Sequence, residues 1–132
     1  MSSEDKLKAS VESIMRSPAV TAQFSDTVSS VVERMVSYDI GSVVITSGGA
    51  PVGMVTERDI VSKIVRMNKD ANKTLAKDVM SSPLITIEAN KSLADALRVL
   101  RDRKIRRLAV TRGGALVGII TERRILEYLA ST

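Results

Sequence analysis

Gly48-Gly49-Ala50-Pro51-Val52-Gly53-Met54-Val55-Thr56-Glu57-Arg58 is repeated 65 positions later as Gly113-Gly114-Ala115-Leu116-Val117-Gly118-Ile119-Ile120-Thr121-Glu122-Arg123. At the same offset Met15-Arg16-Ser17-Pro18 meets Met80-Ser81-Ser82-Pro83. Thr21 meets Thr86, Ile40 meets Ile105, Thr46 meets Thr111 and Ile60 meets Ile125, with no gap between Met15 and Val61. A duplicated unit of about 50 residues is too small to bury a good core alone, so two copies packed about a pseudo-twofold axis are expected.

Both copies read alike. A short helix leads into Met15 or Met80 and is stopped by Ser17-Pro18 or Ser82-Pro83, because proline lacks an N–H and disfavours helix at the residue before it. An extended stretch follows, Ala19 to Gln23 or Leu84 to Glu88. Ser25-Asp26-Thr27 and Asn90-Lys91-Ser92 then offer N-caps to amphipathic helices, with apolar positions at Val28, Val31, Val32, Met35 and Val36, and at Leu93, Ala96, Leu97 and Leu100. Two strand-like runs flank each Gly-Gly pair, a hairpin signal. Closing helices run to about Arg66 and Leu129. Met67-Asn-Lys-Asp-Ala-Asn-Lys-Thr74 is polar and unpatterned. The expectation is an α/β or α+β sandwich of two β-α-β-β-α repeats. Residues 1–66 form the first repeat with its N-terminal helix, 67–74 a linker and 75–132 the second repeat, in one globular module.

Composition narrows the function. The chain has 132 residues with neither Cys nor His, which removes zinc fingers, iron–sulfur clusters, thiol nucleophiles and histidine acid–base chemistry. The carboxylates Glu57, Asp59 and Glu122 have no nucleophile or histidine partner and no metal-ligand spacing, so no catalytic residue and no metal site is assigned. No apolar run approaches the length that crosses a bilayer and the first residues lack an apolar core, which leads to the expectation of a soluble cytoplasmic protein. Net charge is +5; residues 1–66 carry −1 and residues 67–132 carry +6. Arg98, Arg101, Arg103, Lys104, Arg106 and Arg107 crowd into ten residues, a density that suits a phosphate-bearing partner, though charged residues at a strand edge also block sheet-to-sheet aggregation.

Gly53-Met54-Val55-Thr56-Glu57-Arg58-Asp59 stands where a strand gives way to a helix. A helix start offers free N–H groups to an anion, Thr56 adds a hydroxyl, and Asp59 one turn on suits the two hydroxyls of a vicinal diol. The same residues also read as a plain cap, Thr56 at the N-cap and Asp59 near N3.

The doubled unit, with Met-x-x-Pro near its start and Gly-h-h-Thr-x-x-Asp near its end, resembles the cystathionine-β-synthase-type (CBS) domain, as a tandem pair spanning nearly the whole chain. The resemblance implies a Bateman module: two repeats joined through their sheets, acting as a regulator, with clefts that take AMP, ADP or ATP, with or without Mg²⁺, or S-adenosylmethionine. It also implies composite clefts. The first would set Met54, Thr56 and Asp59 on ribose and phosphate, against a wall of Ile85, Thr86, Ile105, Arg106, Arg107 and Leu108, whose arginines suit phosphate over a sulfonium ligand.

The second would set Thr121 and Arg124 against Val20, Thr21, Ile40, Gly41, Ser42 and Val43. It departs from the family pattern because Arg124 stands where the diol acceptor belongs. An empty or weakly binding second cleft is expected, with a phosphate grip by Arg124 as the alternative. The resemblance further implies a homodimer through helices, drawing on Met35, Val36, Ile60, Ile64, Leu97, Leu100, Ile125 and Leu129, and an effector protein regulated in trans. The rival reading is a basic nucleic-acid-binding protein. Phe24, Tyr38 and Tyr128 are its only aromatics, too few for base stacking.

Overall fold

The computed structural model describes residues 2–131. After a short α1 (Ser3–Lys6) and a 3₁₀ turn (Val11–Ser13), each copy of the repeat runs β-α-β-β-α. The first has β1 (Thr21–Gln23), α2 (Val28–Tyr38), β2 (Ser42–Ser47), β3 (Ala50–Thr56) and α3 (Glu57–Ile60), which continues as a π-helical turn over Val61–Val65. A short α4 (Ala76–Val79) precedes β4 (Thr86–Glu88), α5 (Leu93–Arg103), β5 (Arg107–Arg112), β6 (Ala115–Thr121) and α6 (Glu122–Ala130). The class is α+β, with two mixed three-stranded sheets ordered β1-β2-β3 and β4-β5-β6. In both, the first pair is parallel and the second antiparallel.

Local chemistry explains the elements. Thr27 and Ser92 are the N-caps, accepting from the N–H groups of Ser30 and Asp95. Each hairpin turns on a Gly-Gly pair with positive φ at both residues, the conformation a two-residue turn between twisted strands requires and glycine supplies without strain. Val28, Val31 and Met35 of α2 are buried, as are Leu93, Ala96 and Leu100 of α5. Val36, expected on the same face, is instead 76% exposed, because one residue beyond Met35 the helix has turned by about 100°.

The chain divides into two compact units that do not follow the repeat boundaries. One is Val20–Leu84; the other joins the chain up to Ala19 to the chain from Ile85 onward. The expectation that the N-terminal helix belongs with the first repeat is therefore corrected: it sits with the second. The physical reason is backbone pairing. Val11 N–H donates to Lys91 O and Glu12 N–H to Ala89 O, while Leu93 N–H donates to Ala9 O. The first repeat receives the same three bonds from the linker side: Ala76 N–H to Asp26 O, Lys77 N–H to Phe24 O, and Val28 N–H to Thr74 O. Each repeat is thus completed by a strap that precedes the other in sequence. Val11 and Ile14 join Leu93, Leu108 and Ile120 in one core; Ala76 and Val79 join Val28, Val43 and Val55 in the other. The helix expected before Met15 is the 3₁₀ turn, and the polar 67–74 stretch leads into α4.

Each strap ends by crossing a glycine. Met54 and Ser81 exchange both backbone hydrogen bonds (3.1 and 2.9 Å), as do Arg16 and Ile119 (2.9 and 2.9 Å). A Cβ at Gly53 would meet Met80 Sδ at 2.8 Å and Ser81 O at 2.9 Å, and one at Gly118 would meet Met15 Sδ and Arg16 O at 2.7 Å. The Met-x-x-Pro and Gly motifs are therefore two halves of one contact. Among the described residues no helix is long and apolar enough to cross a membrane.

Gly53→Ala and Gly118→Ala should each destabilise the protein by about 1–3 kcal/mol, since backbone cannot retreat as a flexible side chain can. Gly48→Ala, where nothing lies within 4 Å, should act only through its left-handed φ, at about 1 kcal/mol. Urea denaturation of the three variants checks both values.

Candidate ligand-binding site

In the unit Val20–Leu84, β3 ends at Thr56 and α3 starts at once, so Thr56 is an N-cap and Asp59 its N3 partner. Asp59 N–H donates to Thr56 Oγ1 (3.3 Å), and Thr56 N–H donates to Asp59 Oδ2 (2.9 Å), a reciprocal capping box. Thr56 Oγ1 lies 3.2 Å from the same carboxylate oxygen. The plain cap reading of these residues is therefore realised in the structure.

The carboxylate does more than cap. Ser81 on the strap donates its hydroxyl to Asp59 Oδ1 at 3.2 Å, and Lys63 Nζ pairs with the same oxygen at 3.0 Å. Lys63 also donates to the carbonyl of Val79 at 2.7 Å, so one ammonium ties carboxylate to strap. The Asp59 side chain is 8% exposed, against 41% for Lys63. A carboxylate has about four lone-pair sites, and this one has donors for all of them. Two of those donors, Ser81 and Lys63, are at the surface, and a diol's two hydroxyls offer the same bonding.

The unit also contains the residues expected for the second cleft, of which Gly41 and Ser42 adjoin the β3–α3 junction at Thr56. Ser42 lies opposite Thr56 in the β2–β3 ladder, Gly41 O accepts from Glu57 N–H at 3.1 Å, and Val20 O accepts from Val44 N–H at 3.1 Å. Thr21 is exposed and pairs with Val44; Ile40 N–H bonds Met35 O as α2 ends, and Val43 is core. Met54 is buried in β3, on the strap pairing described above.

The other unit shows the same frame with different chemistry. Thr121 caps α6, accepting from Arg124 N–H at 3.0 Å, and the Arg124 side chain reaches back to donate Nε–H to Ile14 O at 2.9 Å. Ile14 and Val79 are equivalent by the 65-residue offset, so each unit ties the same strap carbonyl to a cation. Arg107 lies opposite Thr121, and Arg106 O accepts from Glu122 N–H at 2.9 Å. Ile85 O accepts from Ala109 N–H, Thr86 is exposed opposite Ala109, Ile105 N–H bonds Leu100 O, and Leu108 is fully buried. Each unit thus holds the anchor of one expected cleft and the wall of the other.

Ser81 and Lys63 were not among the residues singled out from sequence. Lys63 was findable, since it stands at i+4 from Asp59. Ser81 was not, because nothing in Met80-Ser-Ser-Pro83 shows that its strap folds against β3. Of the basic cluster, Arg98 is paired with Asp95 at 2.9 Å and Arg101 lies 4.0 Å from Asp102, which removes part of its field. Of the helix residues expected at a dimer surface, Met35, Ile64, Leu100 and Ile125 are buried in their own units.

The CBS domain family matches residues 11–66 and again 76–131. An uncharacterized protein of Methanopyrus kandleri is 36% identical over 128 residues, 93% of this chain and 65% of that protein, so the chain spans just under two thirds of that relative. The CBS domain-containing protein YhcV of Bacillus subtilis is 30% identical over 112 residues, covering 85% of this chain and 79% of YhcV. The solved hexameric CBS-CP12 protein from bloom-forming cyanobacteria has a TM-score of 0.86 at 27% identity, covering 92% of this chain and 72% of its own.

Asp59→Ala removes half of the capping box and the carboxylate that Ser81 and Lys63 share, and should lower stability by about 2 kcal/mol. Arg124→Ala, losing one bond at an exposed side chain, should cost about 1 kcal/mol or less. Denaturant midpoints at constant m-value check the difference.

Proposed function

The chain belongs to the CBS-domain family as a tandem pair, a class that commonly serves regulatory and ligand-binding roles, and on that footing we propose that it is a sensor of adenine nucleotides, AMP, ADP or ATP, acting on a separate effector protein. The observation that supports this reading is the Asp59 carboxylate. It is buried, it is fixed in direction by the Thr56 capping box, and two of its four donors come from side chains at the surface. A ribose supplies two vicinal hydroxyls, which take over the bonds of Ser81 and Lys63 without leaving the carboxylate short of partners. Lys63, once released, is a cation beside the sugar, which favours a ligand that carries phosphate over S-adenosylmethionine.

No catalytic residue is assigned. Among the described residues no cluster of acidic side chains is placed to hold a metal ion, and any Mg²⁺ would arrive on the nucleotide. The reading includes self-association through helices. Val36 and Tyr38 on α2, and Val61 and Val65 on the π-turn, are between 61% and 76% exposed, and the solved cyanobacterial relative is a hexamer. Apolar side chains left open in this way favour a partner surface.

Calorimetric titration with adenosine, AMP, ATP and S-adenosylmethionine tests the proposal. Asp59→Asn, which keeps the shape but loses the charge, should weaken adenosine and AMP by about ten- to a hundredfold, while Arg124→Ala leaves adenosine unchanged. Wild-type affinity in Asp59→Asn, or no binding of any of the four, overturns the reading. Sedimentation velocity should show an oligomer that Val61→Asp with Val65→Asp dissociates.

A further inference from the structure

The two units share one backbone design but invert the charge at one end of it. Around Thr56 stand Gly41, Ser42, Asp59 and Ser81; the equivalent positions around Thr121 are Arg106, Arg107, Arg124 and Arg16. With Glu57 and Arg58 counted on one side and Glu122 and Arg123 on the other, the formal charge goes from −1 to +4. The backbone frame does not require arginine at these positions, since the first repeat builds the same hairpin, helix start and strap with Gly41, Ser42, Asp59 and Ser81.

Their backbones converge. Arg107 is opposite Thr121, the Arg106 carbonyl bonds Glu122 N–H, and Arg16 pairs with Ile119 two residues before Thr121. In the equivalent pair Ser81 touches Asp59 at 3.2 Å, and the same strap pairing and helix start set the backbone positions of Arg16 and Arg124 in the second unit. Arg124 is tethered by Nε–H to Ile14 O, which leaves its two terminal nitrogens without a partner among the described residues. The side chains of Arg16 and Arg106 likewise make no ion pair there, and Glu122, the nearest carboxylate in the chain, pairs with none of them. Adjacent guanidinium groups without a counterion repel one another, and a dianion with several oxygens relieves that repulsion while matching their forked donors.

We propose that Arg16, Arg106 and Arg124 form a binding site for a phosphate-type polyanion, either inorganic pyrophosphate or the phosphate end of a monoester, with no requirement for ribose. Arg124 stands where a diol acceptor would have to be, so the site reads charge and oxygen geometry instead of a sugar. This goes beyond the Asp59 reading and does not depend on it.

Titration of the full chain at low ionic strength with pyrophosphate, inorganic phosphate, AMP and adenosine decides the matter. Pyrophosphate should bind saturably, and Arg16→Gln with Arg124→Gln should weaken it at least tenfold. Arg106→Gln, whose side chain makes no hydrogen bond or ion pair among the described residues, should also weaken it and covers the case in which loss of the Arg124 tether disturbs folding. Arg98→Gln, an arginine already paired with Asp95, should leave it unchanged. If AMP competes with pyrophosphate and adenosine does not, the ligand is a phosphate monoester; if neither competes, it is an inorganic phosphate. The proposal is overturned by absence of saturable binding, by an equal loss in Arg98→Gln, or by displacement of pyrophosphate by adenosine. Asp59→Asn should leave pyrophosphate binding untouched, so failure of this site and failure of the nucleotide reading are told apart.

Discussion

The rest of the molecule depends on a close approach of backbone to backbone at Gly53 and Gly118. The strap ending at Ser81 or Arg16 lies so near the strand that any Cβ would sit inside 3 Å of a carbonyl oxygen. That contact is paired on both sides by backbone hydrogen bonds, which satisfies the strap's polar groups where the methionine covers the glycine. From it follow the core positions of Val11, Ile14, Ala76 and Val79, and the placing of a strap residue beside the first turn of the closing helix. A larger residue at the glycine would move the strap, and with it the partner of residue 59 or the tether of residue 124.

On this shared frame the two units have separated chemically. In one, a buried carboxylate is shared between a cap, a strap hydroxyl and a lysine that also holds the strap carbonyl. In the other, a single arginine holds that carbonyl directly, and among the described residues it pairs with no carboxylate. The whole excess charge of the protein lies on this second unit: the segment Val20–Leu84 carries seven Lys and Arg against seven Asp and Glu, leaving all of the +5 to the remainder. The packing is common to both units while the helix starts differ, because the strap pairing and the threonine N-caps use only the backbone N–H of residues 59 and 124, whose side chains are left to make different bonds.

Much of this was legible in the sequence because its determinants are local. Thr27 and Ser92 announced their helices by cap chemistry, the Gly-Gly pairs their hairpins by left-handed φ, and Thr56 and Asp59 their capping box by spacing. The exchange of straps was not legible, because it rests on pairing between residues such as Val11 and Lys91 that are far apart in the chain. Its trace was present all the same: Ala9, Val11 and Ile14 stand 65 residues before Thr74, Ala76 and Val79, apolar at the two positions that enter the cores. Two scattered apolar matches have no force until the hydrogen bonds show them to be equivalent. Lys63 illustrates the opposite case, a local signal at helical spacing whose meaning depended on the burial of Asp59.

The strap gives a ligand at Asp59 something to act on. Any group that bonds the carboxylate does so in competition with Ser81 and Lys63, because the oxygens have no spare acceptor capacity in this state. Ser81 and the Val79 carbonyl both belong to the strap, and the strap leads within three residues of Ser81 to Leu84, where the chain leaves this unit. On the proposed reading, binding would exchange strap contacts for ligand contacts, and the free-energy difference between the two sets would couple occupancy to the position of the strap. The glycine contact limits how far that response goes: Met54 and Ser81 remain paired through backbone while the Ser81 hydroxyl is free to turn away. The backbone pairing keeps the strap docked, and the side-chain bonds are the part of the contact that a ligand exchanges.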